Sequence, residues 1–153
     1  MFNSILVALE GGDASRQALC MAVDMARAAH AKITALFVIE HHLAIGDVIL
    51  GCSEEQIFRE FMHEEAEHEL RRAGELFTAR GLEGETLMID AAGEPVADVI
   101  CRAVVSAKAD LIVLGRHDPT VLEKIFGSLA DKVLNKTAVS VLVVGSGAGL
   151  SDT

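Results

Sequence analysis

The chain has 153 residues, which suits one domain with a single hydrophobic core. Hydrophobic residues make up 51% of it and charged residues 24%, a composition typical of globular proteins and unlike that of disordered or fibrous ones. The formal net charge is −10 and no Lys/Arg cluster stands out along the sequence, so nucleic acid and anionic membrane surfaces are poor candidate partners.

The first predicted elements are a strand, a helix and a second strand. Ser4 to Leu9 is a short continuous apolar run, the pattern of a strand covered on both faces. Gly11 and Gly12 break it, and apolar residues then recur at three- and four-residue spacing from Asp13 to His30. This predicts a helix with Asp13 as its N-cap. Ile33 to Ile39 predicts the second strand.

A long loop precedes the second predicted helix, which runs from Ser53 to Arg80 and is ended by Gly81 and Gly84. Its Glu-rich positions are expected to face water, as on an ordinary solvated surface. Its apolar residues are expected to form one core-facing stripe that includes Ile57, Phe61, Leu70 and Phe77.

The second half of the chain continues the alternation of strands and helices. Its predicted elements are a strand at Leu87–Ile89, a helix that Gly93 and Pro95 open and that runs through Ser106, a strand at Asp110–Leu114, a helix from about Ser128 to Asn135, and a strand at Val139–Val144. Such alternation predicts an α/β domain of right-handed βαβ units, with a parallel sheet and helices on both faces. We expect one domain over residues 1–146 and a flexible tail over 147–153.

The cysteines and the chain start bear on the cellular compartment. Cys20, Cys52 and Cys101 are widely spaced and include no Cys-x-x-Cys pair, so we expect reduced thiols and neither a disulfide framework nor a zinc site. The chain start shows no signal-peptide pattern, and no apolar run approaches the ~20 residues of a transmembrane helix. We therefore expect a cytoplasmic protein.

The segment from Gly115 to Ser128 is the strongest candidate for a ligand site. Ligands of parallel α/β sheets bind beyond the carboxyl ends of the strands, where the strand order reverses. A glycine at a strand end lets a ligand approach the backbone, and Gly127-Ser128 at a helix start offers amides, a hydroxyl and the positive end of the helix dipole. Phosphate is the expected guest. The plainer interpretation, in which Gly115 is a turn and Ser128 an N-cap, stays open.

The same region carries a family resemblance. The run from Ala109 to Val144, A-D-L-I-V-L-G-R-H-D-P, then G-S-L-A-D-K-V-L, then V-S-V-L-V-V, resembles the C-terminal signature of the universal stress protein family, whose nucleotide-binding members carry G-x2-G-x9-G-[ST]. The opening I-L-V-A-L-E-G resembles the family's I-L-V-P-V-D-G, and Gly93-Glu94-Pro95 followed by Ile100 matches its G-x-P-x4-I. The resemblance spans Ser4 to Val144.

The resemblance implies a fold and a function. The implied fold is an open, Rossmann-like, five-stranded parallel sheet in the order 3-2-1-4-5, similar to that of the adenine nucleotide alpha hydrolases. The implied function is binding of ATP by a regulatory stress-response module. This chain departs from the pattern in two ways: Asp118 replaces the second motif glycine, and only eight residues separate it from Gly127. These departures resemble those of a short-loop branch of the family. An added carboxylate repels phosphates unless a divalent cation lies between them.

Site roles follow from the resemblance position by position. Main-chain groups of Ala8 and Val38 would contact adenine, and Leu114 and Gly115 would line the sugar. The amides of Gly127, Ser128 and Leu129 would hold phosphates, and His117 could reach a phosphate or the ribose. Glu10 replaces the family's aspartate near ribose and metal, and would hold Mg²⁺ through the nucleotide. The alternative for Glu10 is a solvated carboxylate at a strand end.

The sequence supports other functions and sites less well. A slow ATPase or self-phosphorylating enzyme would use Glu10 for magnesium and Ser128 as phosphate acceptor, although no catalytic residue is evident. A purely structural relative, which binds no nucleotide, would have an empty cleft because of Asp118. Metal sites at His41-His42 or His63/His68 are disfavoured, since positions 63 and 68 do not share a helix face. A receiver domain is disfavoured because the fifth strand ends without the lysine that receivers use.

Assembly is expected to involve the last strand. Val139–Val144 is apolar and would lie at a sheet edge without a protecting proline or lysine. Pairing with the same strand of a second copy would satisfy both edges, so we expect a homodimer.

Overall fold

A computed structural model describes residues 1–40, 52–116 and 129–145 of the chain, and within these ranges it leaves out the side chains of residues 52–56 and 58. Nine elements alternate along these described ranges. They are β1 (Ser4–Leu9), α1 (Asp13–Ala29), β2 (Lys32–Ile39), α2 (Cys52–Ala79), β3 (Gly84–Asp90), α3 (Val96–Ala107), β4 (Leu111–Gly115), α4 (Leu129–Lys136) and β5 (Ser140–Val144).

The five strands form one parallel sheet in the order β3-β2-β1-β4-β5, which confirms the predicted fold class and strand order. From β1 the chain first builds outward through β2 to β3 and then returns to the other side of β1 with β4 and β5. The order therefore reverses between β1 and β4. In this central pair Ala8 is the register partner of Leu114, and on its other side Ala8 pairs with Leu36.

Helices cover both faces of the sheet, because successive side chains of a strand point to opposite sides. Ile5, Val7 and Leu9 of β1 belong to the core that α1 and α2 cover. Leu6, with Ala8 packed beside it, belongs to the core that α3 and α4 cover. Burial on both faces explains why β1, β2 and β4 are continuous apolar runs in the sequence.

Helix α2 corrects the predicted apolar stripe. Leu70 and Phe77 are buried as expected, together with Ala66 and Ala73, but Ile57 is 66% exposed and Phe61 62% exposed. The buried face continues toward the N-terminus through Met62, which is partly buried against the core. Because one residue turns a helix by about 100°, Phe61 lies on a different face from Met62.

The structure also differs from the prediction at two element boundaries. Asp13 is the first residue of α1 and makes no capping hydrogen bond; the N-cap is Gly12, at φ 91°. Gly84 begins β3 and does not end a helix. Strand β3 is longer than predicted because it pairs with β2 from Ile33↔Gly84 to Ile39↔Asp90. Its polar first half lies at the exposed edge of the sheet, where an apolar pattern is not needed.

The described helices were also compared with the dimensions of a bilayer. None of them combines the length and the hydropathy that a membrane-spanning segment requires.

Candidate functional site

The candidate site lies at the centre of the sheet, where the strand order reverses. The carboxyl ends of β1 and β4 are adjacent there, and the Ala8–Leu114 register pair is close to both ends. The order of a parallel sheet leaves a crevice at such a point, because the connections on either side lead away from it. Of the nine residues predicted for the site, Ala8, Glu10, Val38, Leu114, Gly115 and Leu129 lie within the described ranges.

Four of these six residues belong to one apolar cluster on the face covered by α3 and α4. Val38 is 9% exposed and Leu114 is 3% exposed, and both are core members. Ala8 and Leu129, the first residue of α4, are partly buried and pack against the same cluster. Because the side chains of Val38 and Leu114 are buried, a ligand beyond the strand ends would meet these residues through their main-chain groups.

The loop after β1 is held in place by Ser15. The hydroxyl of Ser15 accepts a hydrogen bond from the Glu10 amide at 3.1 Å, and Ser15 is only 3% exposed. Gly11 and Gly12 have φ of 82° and 91°, a region that other residues rarely adopt, so the turn depends on them. The turn brings the positive end of the helix dipole of α1 to the strand ends. Ser15 was missed from the sequence; its position in the first turn of α1 was the available signal.

Gly115 has a packing role. A Cβ at this position would lie 2.6 Å from the carbonyl carbon of Ala14 and 2.8 Å from the amide nitrogen of Ser15. Contacts that short are not tolerated, so the glycine allows the first turn of α1 to rest directly on the end of β4. The next residue extends the pairing of β4 with β5, since the Arg116 amide donates to the Val144 carbonyl at 2.7 Å.

An ion-pair network joins α1 to α2 beside this loop. The guanidinium of Arg16 lies 3.4 Å from a carboxylate oxygen of Glu69 and 3.6 Å from one of Asp13. Glu69 is 5% exposed, so Arg16 supplies the counter-charge for a nearly buried carboxylate. The Glu65 carboxylate is also close: a Cβ on Gly11 would lie 2.5 Å from its Oε1 atom. The β1–α1 loop is thus bordered by acidic groups of α2.

The carboxylates near the strand ends are the candidate metal ligands of this site. Glu10, Glu40 and Asp90 are the carboxylates at or next to the ends of β1, β2 and β3. Within residues 1–40, 52–116 and 129–145, no group of three or more His, Cys, Asp or Glu residues is arranged to hold a metal ion. A cation held by Glu10 would therefore need further ligands, such as phosphate oxygens and water. His63 pairs with Glu67 at 3.3 Å, and His41 and His42 lie outside the described residues.

Helix α4 is positioned by packing and by one ion pair. Val133 is fully buried against α3 and the sheet, and Lys136 pairs with Asp98 of α3. Desolvation raises the pKa of the Cys101 thiol, and the Asp98 carboxylate raises it further. The burial of Val133 and the Lys136–Asp98 pair position α4, and its first residue, Leu129, packs against the apolar core on this face. Gly127, Ser128 and His117, as well as the substituted position Asp118, lie outside the described residues.

The turn before α3 contains the Gly-x-Pro sequence. The Asp90 carboxylate accepts a hydrogen bond from the Ala92 amide at 2.8 Å, and the Glu94 amide donates to the Ala91 carbonyl at 2.9 Å. Gly93 has φ of 89°, and Pro95 is the N-cap of α3. Asp90 therefore has a structural role at the end of β3.

The Glu94 carboxylate, just before α3, pairs with Arg102 in the second turn of that helix. Arg102 donates to it at 2.9 Å, and this hydrogen bond holds the pKa of Glu94 below its ordinary value. The same bond raises the pKa of Arg102. Both side chains are largely exposed, so the pair fastens the turn to the outer surface of α3.

Comparisons with known proteins agree on the family. Residues 1–145 match the model of the universal stress protein family. A universal stress protein of Thermus aquaticus is 30% identical over 145 residues, which cover 94% of this chain and 99% of the relative. One of Methanocaldococcus jannaschii is 29% identical over 145 residues, with 94% and 82% covered.

Solved structures agree as well. A universal stress protein family member from Burkholderia pseudomallei is 28% identical with a TM-score of 0.75, covering 93% of this chain and 95% of that one. Two more distant structures share the fold. A universal stress protein from Archaeoglobus fulgidus in complex with dAMP is 24% identical with a TM-score of 0.63, covering 93% of this chain and 97% of that one. A family protein from Arabidopsis thaliana with AMP bound is 17% identical with a TM-score of 0.68, covering 97% of this chain and 94% of that one. The chain belongs to the universal stress protein family.

Proposed function

We propose that this protein binds ATP at the crevice between the ends of β1 and β4 and acts as a nucleotide-dependent regulatory module. The observation that carries the proposal is that Ala8, Val38 and Leu114 stand at the carboxyl ends of β1, β2 and β4, and that Leu129 packs against the same apolar core. Family membership adds to it. Relatives of the same fold have been solved with adenine nucleotides, AMP in one case and dAMP in another.

In the proposed binding mode, different strands and helices contact the adenine, the sugar and the phosphates. Main-chain groups of Ala8 and Val38 would contact adenine, and Leu114 and Gly115 would line the sugar. The phosphates would extend toward the start of α4, where the amides of Gly127, Ser128 and Leu129 would meet them at the positive end of the helix dipole. Leu129, at the start of α4 in the same cluster as Ala8 and Leu114, is consistent with this direction.

Two residues extend the proposed site toward metal and phosphate. Glu10 directly follows β1 and would share Mg²⁺ with phosphate oxygens. Mg²⁺ commonly binds one or two carboxylates together with substrate phosphates, which suits a site without a complete protein cage. His117 would reach a phosphate or the ribose. A cation would also reduce the repulsion between Asp118 and the phosphates.

The alternative is an enzymatic function in which Glu10 holds Mg²⁺. With Mg²⁺ on Glu10, the reaction would be slow hydrolysis of ATP or transfer of its phosphate to Ser128. The remaining alternative is a structural relative whose cleft binds no nucleotide. The regulatory proposal predicts hydrolysis well below ~1 s⁻¹. A robust Mg²⁺-dependent rate that disappears in Glu10→Ala would favour the enzyme.

We further propose a homodimer in the cytoplasm. Strand β5 pairs only with β4 in the described sheet, and Val143 on it is 44% exposed. No described strand lies at its other edge, where it would pair with β5 of a second copy about a two-fold axis. The cytoplasmic location is consistent with Cys20 and Cys101, which are free thiols.

The direct test of the ligand is identification of what the purified protein carries. Protein isolated without added nucleotide would be denatured and the released small molecules identified by chromatography and mass spectrometry. We expect an adenine nucleotide, with ATP the main species. Recovery of a guanine nucleotide instead would contradict the proposed reading of adenine by β1 and β2.

A further inference from the structure

A cavity of about 560 Å³ opens at the opposite end of the sheet from the candidate nucleotide site. It lies where the strands begin: Asn3 precedes β1, Lys32 starts β2 and Glu83 precedes β3. The ends of α1 and α2 complete it. The polar residues that line it are Asn3, Arg27, His30, Lys32, Arg80 and Glu83.

The cavity is basic although the chain is acidic. Arg27, Lys32 and Arg80 contribute three positive charges from three separate segments, against the single carboxylate of Glu83. Glu83 lies 3.7 Å from the Lys32 ammonium group and compensates that charge. Within residues 1–40, 52–116 and 129–145, neither Arg27 nor Arg80 forms an ion pair. A chain with net charge −10 therefore places two uncompensated guanidinium groups around one cavity.

The helix ends at this cavity do not need these cations as hydrogen-bond donors. Basic residues often lie at a helix C-terminus because they bond its last carbonyl groups. Here main-chain amides do this: Ala31 donates to the Ala26 carbonyl at 2.9 Å, and Leu82 donates to the Phe77 carbonyl at 2.9 Å. In the described part of the chain, the exposed guanidinium groups of Arg27 and Arg80 are left for water or another acceptor.

His30 adds a further donor or acceptor at the rim. It is the C-cap of α1 in the left-handed region, with φ of 53° and ψ of 40°, a position at which glycine is the usual residue. The corresponding position after α2, Gly81 at φ 68°, is a glycine. Histidine at the first of these positions places an imidazole beside the cavity that glycine would lack.

We propose that this cavity binds a small anion with two or more negative charges, of the diphosphate class. Guanidinium groups match phosphoryl oxygens in bidentate geometry, and two of them, one near the end of each of two helices, can hold two linked phosphoryl groups. The site is separate from the proposed nucleotide site, and its existence does not depend on ATP binding there.

Inorganic pyrophosphate is the probe for the test. Full-length ¹⁵N-labelled protein would be titrated with it at low salt, and the amide shifts followed by NMR. We expect saturable shifts concentrated at residues 27–32 and 80–83, and a dissociation constant below about 1 mM. Because the attraction is electrostatic, it should weaken as sodium chloride is added.

Matched variants decide whether the two arginines carry the binding. Arg27→Gln with Arg80→Gln should weaken pyrophosphate binding at least about tenfold, since two charge-assisted contacts are removed. Arg72→Gln is the control, because Arg72 is an exposed residue of α2 that does not line the cavity. Arg80→Lys, which keeps the charge, should bind better than Arg80→Gln and covers the case in which the double variant fails to fold.

Three outcomes would overturn the proposal. One is the absence of saturable shifts up to about 10 mM pyrophosphate. Another is equal weakening by Arg72→Gln and by the variants of Arg27 and Arg80. The third is a set of shifts confined to residues 8–12 and 115–116, which would assign the anion to the opposite end of the sheet.

Discussion

Gly115 and Ala14 are in main-chain contact across the centre of the molecule. A Cβ on Gly115 would lie 2.6 Å from the carbonyl carbon of Ala14 and 2.7 Å from its oxygen. The first turn of α1 and the end of β4 are thereby held together at the point where the strand order reverses. The shape of the candidate nucleotide site depends on this contact.

Gly115→Ala should therefore destabilise the protein and weaken nucleotide binding. The new methyl group meets backbone atoms, which cannot rotate away, so we expect a loss of roughly 1–3 kcal/mol in the free energy of unfolding. Gly145→Ala is the control, because no atom of the described residues lies within 4 Å of a Cβ built there. Urea denaturation of both variants measures the difference. Equal stability of the two would show that α1 does not rest on Gly115.

The second prediction concerns the Arg16–Glu69 ion pair between α1 and α2. Arg16→Gln leaves the Glu69 carboxylate nearly buried and without its counter-charge, and we expect a loss of roughly 1–3 kcal/mol. Glu83→Gln is the control, because the side chains of Lys32 and Glu83 are 68% and 78% exposed and such pairs contribute at most about 1 kcal/mol. Urea midpoints give both values. A larger effect of Glu83→Gln would contradict the assignment.

The third prediction is a pH dependence at Glu94. The hydrogen bond from Arg102 lowers the pKa of Glu94 from the ordinary value of 4.5, so the folded state binds this proton less readily than the unfolded state. The stabilisation from the pair is complete above pH 4.5 and is lost as the pH falls through the lowered folded-state pKa. Carboxyl ¹³C NMR should show Glu94 titrating below 4.5 in the parent chain and at a higher pH in Arg102→Gln. An unchanged titration would argue against the pair.

The fourth prediction concerns assembly through β5. Light scattering should give about twice the chain mass of 16.3 kDa, and Val143→Lys should give the monomer, because a lysine at the two-fold interface would face its own copy. Val105→Lys is the control: Val105 is 77% exposed on α3, away from the sheet edge. A monomeric parent protein at tens of micromolar, or dissociation by both substitutions alike, would refute pairing through this edge.

The sequence predicted the fold well because its strongest signals are local. Doubly covered strands such as Ser4–Leu9 must be apolar throughout, and the glycines after them mark the turns. The exposed edge strand β3 was predicted too short because its first half is polar. The faces of α2 were assigned incorrectly at Ile57 and Phe61 because both are apolar and four residues apart, which is also the spacing of a buried stripe.

Contacts between residues far apart in the chain could not be predicted from the sequence. Nothing in the local pattern relates Gly115 to Ala14 or Arg16 to Glu69. The basic cavity likewise draws Arg27, Lys32 and Arg80 from three segments, so no Lys/Arg cluster is visible along the chain. Such groupings become predictable only after the strand order is known, because the order decides which loops and helix ends meet.

The central claim is tested most directly by isothermal titration of the nucleotide-free protein with ATP and Mg²⁺. We expect saturable binding that is tighter for ATP than for GTP, because main-chain groups on β1 and β2 would contact the adenine. We also expect that Gly127→Val, which would block close approach of the phosphates to the amides before α4, abolishes the heat while the protein stays folded. Absence of any heat at about 1 mM ATP, or unchanged binding by Gly127→Val, would contradict the claim.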